Sequence, residues 1–191
     1  MSRNKLNEPL YIENESVILE EVKPEYFPYV IKWRNDPELN KYLNQPYKLT
    51  LEAEQKWYEN IYLNDPSQGF VIISYKKSMT PFATWGWTNY DSDKKQCILG
   101  RLLLSISTYA SLLLEANFLL MDYLYKSVNM MYAHVGINNK RSLRLNFMLG
   151  FEINKGEWEY PSEKIVNNIE QCEIYRSLSM YQENKKKLAV L

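Results

Sequence analysis

Residues 94–160 alternate strand-like and helix-like patterns, which rules out an all-helical or all-strand fold. "KKQCILGRLLLS" reads as a buried strand. The stretch Ser105 to Lys126, "SISTYASLLLEANFLLMDYLYK", ends in a helix whose inner face is Leu112, Ala116, Leu119, Leu120, Tyr123 and Leu124. "NMMYAHVGIN" is strand-like again. "NKRSLRLNFMLGF" gives a helix from Lys140 to Leu149 closed by Gly150, and "FEINKGEWEY" returns to strand. Upstream, "SVILEEV" alternates as a first strand, and "KPEYFPYVIKWRND" follows as a helix that carries Val30 and Trp33 and stops at Asp36-Pro37. "PELNKYLNQPY" is a short helix ended before Pro46. "TLEAEQKWYENIYLNDP" is a clearer one, with Thr50 as N-cap and Leu51, Trp57, Tyr58, Ile61 and Tyr62 as its apolar face. "GFVIISYK" and "TPFATWGWTNYD", rich in β-branched and aromatic residues and separated by the polar "KKSM", form a hairpin. "NIEQCEIYRSLSM" alternates Ile169, Cys172 and Ile174 and fits a strand or a helix, and "YQENKKKLAV" reads as a solvated tail. Strands first and β-α-β-α-β later give an α+β class, with three α/β/α layers around a mostly antiparallel sheet.

A chain of 191 residues, 46% apolar, fits one domain with a substantial core. No linker, repeat or low-complexity block divides residues 1–191, so one domain is expected, ordered over about 8–182. Twenty-three basic residues balance 23 acidic ones, which offers no bulk field to draw nucleic acid or an anionic membrane. Neither is an expected partner. Cys97 and Cys172 lie far apart without metal-ligand spacing, which points to idle thiols and no metal. The first thirty residues lack a signal-peptide pattern and no apolar run is long enough to span a bilayer, so cytoplasm is the expected compartment. The left half of the Ser105–Lys126 stretch places hydroxyl residues between a buried strand and a helix start. Such a helix start is a ready site for an anion, although the turn holds no glycine.

Four segments in this order, "WRNDPELNKYL" (33–43), "LTLEAEQKWYE" (49–59), "TWGWTNYD" (84–91) and "MYAHVGINNKRSLRLNFMLGFE" (131–152), give the chain its family likeness. It resembles the GNAT superfamily of acetyl-CoA-dependent N-acetyltransferases. The nearer likeness is to the branch of ribosomal-protein N-terminal alanine acetyltransferases and related amino-sugar acetyltransferases. The most specific words are Asn139, the small residue Ser142 three positions on, and the close Leu149-Gly150-Phe151.

The resemblance implies a mixed, mostly antiparallel sheet in which two neighbouring parallel strands splay apart to take the pantetheine arm of acetyl-CoA. Those strands would be the one ending in Leu102, Leu103, Leu104 and Ser105, and Met130 to Val135. The pyrophosphate would meet the turn and first amides of the next helix, where relatives carry glutamine or arginine and two glycines. Here the turn is about two residues shorter and reads Ser107, Thr108, Tyr109, Ala110 and Ser111. Helix-start amides attract an anion whatever their side chains, and hydroxyls can donate to phosphate oxygens. The same hydroxyls can equally serve only as caps. Asn139 is expected to hold the cofactor arm or to cap its helix. Lys140 and Arg141 are expected to supply charge to phosphates or to lie solvated, with Ser142 completing the cofactor set.

Many relatives seat a glutamate base on the strand before the turn, where this chain has Gln96, Cys97 and Ile98, and a tyrosine acid where it has Asn146. An asparagine donates a hydrogen bond but supplies no proton. Tyr109, Tyr132 and the sole histidine, His134, are the alternative candidates, each with a packing role as its simpler reading. Backbone amides near Leu104 could polarise the thioester carbonyl. Without an obvious base, most rate would come from orientation, on the order of 7 to 11 kcal/mol. That favours amines already partly neutral: an α-amino group near pKa ~8 is about a tenth free at pH 7, a lysine amine near ~10.4 less than a thousandth. The expected acceptor is a small-molecule amine, a nucleotide-linked amino sugar ahead of a protein N-terminus. It would lie against Trp33, Trp85 and Trp87, with Arg34 pairing an acid group, although core packing accounts for at least one of the three tryptophans, Trp33 first. A non-catalytic CoA-binding or partner-binding scaffold is the other reading. A homodimer through tyrosine-rich strands is compatible with both.

Overall fold

The computed structural model describes residues 10–43, 45, 47–105, 109–166 and 168–188. Its elements in chain order are β1 (Tyr11–Glu13), β2 (Val17–Glu21), α1 (Phe27–Arg34), α2 (Pro37–Asn40), α3 (Leu51–Asn60), β3 (Gly69–Tyr75), β4 (Thr80–Asp91) and β5 (Gln96–Leu104). There follow α4 (Ala110–Leu124), β6 (Met130–Gly136), α5 (Lys140–Met148), β7 (Glu152–Ile153), β8 (Ile165–Val166), β9 (Ile169–Ser177) and α6 (Leu178–Leu188). The strands join in the order β1-β2-β3-β4-β5-β6-β9-β7, with β8 paired to β9, and every pairing except β5–β6 is antiparallel.

Strand alternation builds the two outer layers. On β3, Phe70 and Ile72 face a cluster with α1 and the Trp57 and Tyr58 side of α3, while Val71 and Ile73 face a larger one with α4, α5 and Tyr181 of α6. The result is the expected three-layer α+β arrangement. Thr50 caps α3 as its position implies, its hydroxyl accepting from the Ala53 N–H at 3.2 Å. No helix among the described residues is long and apolar enough to cross a membrane.

Three expectations change. The inner face of α3 carries Glu54, while Leu51 and Ile61 are exposed, because the buried face centres on positions 54, 57 and 58. The buried residues of α4 are Leu113, Ala116, Asn117, Leu120, Met121 and Leu124, so the stripe is turned one position from Leu112. The supposed solvated tail is helix α6. Its Tyr181 is buried, stacks on Tyr125 at 4.9 Å and donates to Asp122 at 2.7 Å, Lys185 pairs with the same carboxylate at 2.6 Å, and Lys186 and Lys187 are exposed.

The feature that shapes the centre of the molecule is a bulge in β5. Gly86 pairs with Gly100 but Thr84 pairs with Leu103, so two steps along β4 meet three along β5. The surplus is taken up at Arg101, whose φ of 57° lies in the left-handed region, at about 1–2 kcal/mol for a residue with a Cβ. β5 and β6 pair only from Gln96–Met130 to Leu99–Ala133. Past that point Gly100 to Leu104 are held by β4 alone and His134 to Gly136 by β9 alone, so the parallel pair opens into a wedge.

Candidate active site

The wedge is a cleft of about 160 Å3, lined from β5 by Leu99 and Gly100, from β6 by His134, and from α5 by Asn139, Ser142 and Asn146. A Cβ built on Gly100 would meet nothing within 4 Å, so glycine here keeps open space at the fork. The β6-facing edge of Gly100 to Leu104 has no strand partner, leaving main-chain groups for an extended ligand. Leu103 is buried with its side chain against a second cavity, and Leu104 packs on the core, so these two bring backbone to the wedge.

Other expected cofactor residues fare unequally. Ser105 directs both its N–H (2.8 Å) and its hydroxyl (2.7 Å) to the Phe82 carbonyl, so neither is left for an anion. Ser107 and Thr108 lie outside the described residues. Tyr109 precedes α4 with its ring packed against Tyr75 (5.4 Å) and Phe82 (5.1 Å), and it lines neither the cleft nor the larger cavity beside it. Ala110 and Ser111 are exposed in the first turn of α4, which has no side-chain cap. Asn139 caps α5, its Oδ1 accepting from the Ser142 N–H at 3.1 Å, and it also borders the cleft. Lys140 and Arg141 are exposed.

The catalytic candidates are more constrained than their residue types imply. Asn146 is buried against the cleft, but its amide donates to the Ser142 carbonyl (2.9 Å) and hydroxyl (3.3 Å), which occupies the donor a leaving thiolate would need. His134 Nε2 bonds Glu173 at 3.0 Å, and its ring stacks on Trp158 at 5.7 Å: a packed, hydrogen-bonded strand histidine. Gln96 donates to Glu159 and the Tyr160 hydroxyl, and the Cys97 thiol, fully buried, is pushed up to about 12 by desolvation. Tyr132 packs edge-on against Tyr160. Among the described residues no three His, Cys, Asp or Glu cluster as a metal site.

The expected tryptophan wall does not form. Trp33 is buried against Tyr29 and lines neither cavity. Trp85 and Trp87 do share one face, as alternation requires, but that face is the core. Trp87 lies over Gly69, where any Cβ would sit 2.1 Å from its ring, and Trp85 touches only the cleft.

What lies beside the cleft is a larger cavity of about 440 Å3 between the sheet, α1 and α3, within the usual size range for small-molecule sites. Its polar lining includes Arg34, Gln45, Glu54, Thr84, Thr88 and Arg101, and its aromatic wall is Trp57 and Phe70. Arg101 and Leu43 line both spaces, so the two meet at the bulge. The Arg101 guanidinium lies 5.4 Å from the Trp57 ring and 5.5 Å from Phe70 and bonds the Gln68 side chain; burial pulls its pKa down to about 10. Burial also lowers Arg34 and raises Glu54, the latter opposed by the charges of Arg34 and Arg101. Of the expected acceptor residues, Arg34 lines this cavity. Glu54, Trp57 and Arg101 are the residues the sequence reading missed. A lone arginine inside "CILGRLLL" and a glutamate three positions before Trp57 on the inward face were the available signals.

Glu173 gives a pH prediction. Desolvation raises its pKa, but hydrogen bonds from Asn154, His134 and the Glu159 and Tyr160 N–H groups outweigh it, and the net shift is downward. A carboxylate lowered in the folded state adds stability above its unfolded value, near ~4.3, and loses it as pH falls through the folded one. The melting temperature of the wild type should therefore fall steeply below about pH 4.3, while Glu173→Gln, less stable at neutral pH, gives a flatter acid limb. Parallel limbs in pH-series melting curves would refute this.

A family model described as an acetyltransferase (GNAT) domain matches residues 16–152. No curated protein matched the chain. Solved structures align over nearly all of it at low identity. The spermidine N-acetyltransferase from Vibrio cholerae in complex with CoA and spermine is similar at 15% identity and TM-score 0.72, over 88% of this chain and 99% of that one. Apo FdhC, a nucleotide-linked sugar GNAT, is similar at 17% identity and TM-score 0.72, over 95% and 97%. A GCN5-related N-acetyltransferase from Brucella melitensis is similar at 14% and 0.74, over 94% and 86%.

Proposed function

Because this chain belongs to the acetyltransferase (GNAT) domain family, we propose that it moves an acetyl group from acetyl-CoA to the primary amine of a small molecule. A nucleotide-linked amino sugar stands ahead of a protein N-terminus as the acceptor. The observation that carries this reading is the open parallel pair, with its unpaired β5 edge, meeting a charged cavity at Arg101. In it, the free edge of Gly100 to Leu104 pairs with the amide-bearing arm of the acyl carrier, Asn139 borders that arm, and the exposed first turn of α4 at Ala110 and Ser111 faces its phosphates. A cavity of about 440 Å3 between helices and sheet is of a size that suits a compact acceptor. Fold likeness at these identities does not choose between sugars and polyamines; the two guanidiniums in the cavity support the sugar.

With Gln96 and Asn146 already hydrogen-bonded within the protein, the chain's contribution to rate is orientation of amine and thioester in two adjoining spaces. Amines with a sizeable neutral fraction are then the better acceptors. The same occupied side chains support the second reading, a scaffold that binds CoA or a partner without turnover.

Thermal shift with CoA, acetyl-CoA and no ligand separates the two, together with a thiol-release screen across amines. A ligand at a hundred times its Kd adds about 2.7 kcal/mol, a rise of several degrees. Stabilisation by acetyl-CoA together with amine-dependent thiol release is the expected result. No stabilisation by either thioester or thiol overturns the enzymatic reading.

A further inference from the structure

Eight buried side-chain polar atoms among the described residues find no hydrogen-bond partner within the protein, and four of them line the charged cavity: Arg34 Nε, Gln45 Oε1, Glu54 Oε1 and Arg101 Nη1. The other four, on Trp87, Asn117 and Arg176, do not line it. A buried unpaired polar group costs about 1–3 kcal/mol, so four in one ligand-sized space mark groups that await a partner. Glu54 is the strongest case, because only 2% of it is exposed.

A purely structural cluster would neutralise itself, and this one does not. No ion pair joins Glu54 to Arg34 or Arg101, although both guanidiniums are close enough to oppose the rise in its pKa. Gln45 is fixed rather than free to flip. Its Nε2 donates to the Arg34 and Tyr47 carbonyls, both at 3.0 Å, and that orientation leaves Oε1 as the open acceptor. Arg101 has Nη2 on Gln68 and Nη1 unused. The open atoms are therefore two acceptors, on Glu54 and Gln45, and two cationic donors, on Arg34 and Arg101.

We propose that this cavity reads an acceptor bearing both an amine and an anionic group, the amine N–H groups going to Glu54 and Gln45 and the phosphate or carboxylate to Arg34 and Arg101. This inference rests on the acetyltransferase reading and names the acceptor class within it. Two fixed positive charges against one carboxylate disfavour a polyamine, whose second ammonium would meet a guanidinium. A phosphate on an amino sugar and the carboxylate of an amino acid offer the same chemistry here, since a guanidinium donates to either.

Calorimetric titration of the CoA-loaded full chain tests this, with glucosamine 6-phosphate, glucosaminic acid, glucosamine and spermidine as probes. Expected is binding of one or both anionic amines at least tenfold tighter than glucosamine or spermidine; which of the two wins identifies the acid group. Arg34→Gln should remove most of that advantage while leaving glucosamine within about twofold. Glu54→Gln should weaken both anionic amines. Spermidine or glucosamine binding as tightly as the anionic amines, or no probe binding to a protein that CoA still stabilises, overturns the proposal and leaves the enzymatic reading standing. Absence of CoA stabilisation in the same samples removes the reading on which it rests.

Discussion

Gly100→Leu is expected to reduce acetyl-CoA affinity at least a hundredfold while leaving the fold intact. A Cβ at this position meets no atom within 4 Å, and its backbone is not in the left-handed region, so the side chain fits without strain. The space it fills is the fork where β5 leaves β6, bordered across the gap by His134 and Asn146. Four added carbons in a cleft of about 160 Å3 exclude any extended chain that must pair with the β5 edge. Calorimetric binding of acetyl-CoA and the melting temperature, measured on the same sample, check both halves. Unchanged affinity would mean that the carrier does not enter between the strands, and a collapse in melting temperature would mean that the fork is packed and not open.

Arg176→Ala should be the most destabilising single substitution outside the apolar core, by about 3–5 kcal/mol. Arg176 is wholly buried on β9, with Nη1 donating to the Leu149 carbonyl at 2.5 Å and Nε to the Tyr125 hydroxyl at 3.2 Å. Its guanidinium lies 4.4 Å from the Phe151 ring centroid and 4.9 Å from Tyr181. Truncation opens a cavity among three aromatic rings and orphans the carbonyl that ends α5. Arg176→Met, which refills the volume, should recover a good part of the loss. Urea unfolding of the three proteins measures it. A loss below about 1 kcal/mol for the alanine variant would show that the rings close over the gap.

Much of the fold was legible because its signals are local. Thr50 marks the start of α3, the β-branched runs give the β3–β4 hairpin, and Gly150 at φ 85° ends α5 where a left-handed residue is required. The wedge was reached through family likeness, because nothing local announces a bulge: its left-handed residue is Arg101, not a glycine. The docking of α6 is hard to read because lysines dominate its sequence, while its contacts come from a few scattered residues, chiefly the buried Tyr181 with Leu178 and the Lys185–Asp122 pair. The site was the least legible part. Tryptophans promise a stacking wall by residue type, yet Trp85 and Trp87 fall on the core side of β4, and the residues that line the cavity sit on the other side. Whether Glu54 points inward depends on a helix face that its charge would place in water. Only tertiary packing against Arg34 and Arg101 reveals it.

Arg101 gives one spot on the sheet two allegiances: its side chain leans into one chamber while its strand edge borders the other. Together with Leu43 it forms the boundary the two chambers share. A ligand that shifts Arg101 from one side would alter the lining of the other, and any coupling that resulted would be equal in both directions. Such a coupling would need only the repositioning of one arginine side chain at the bulge.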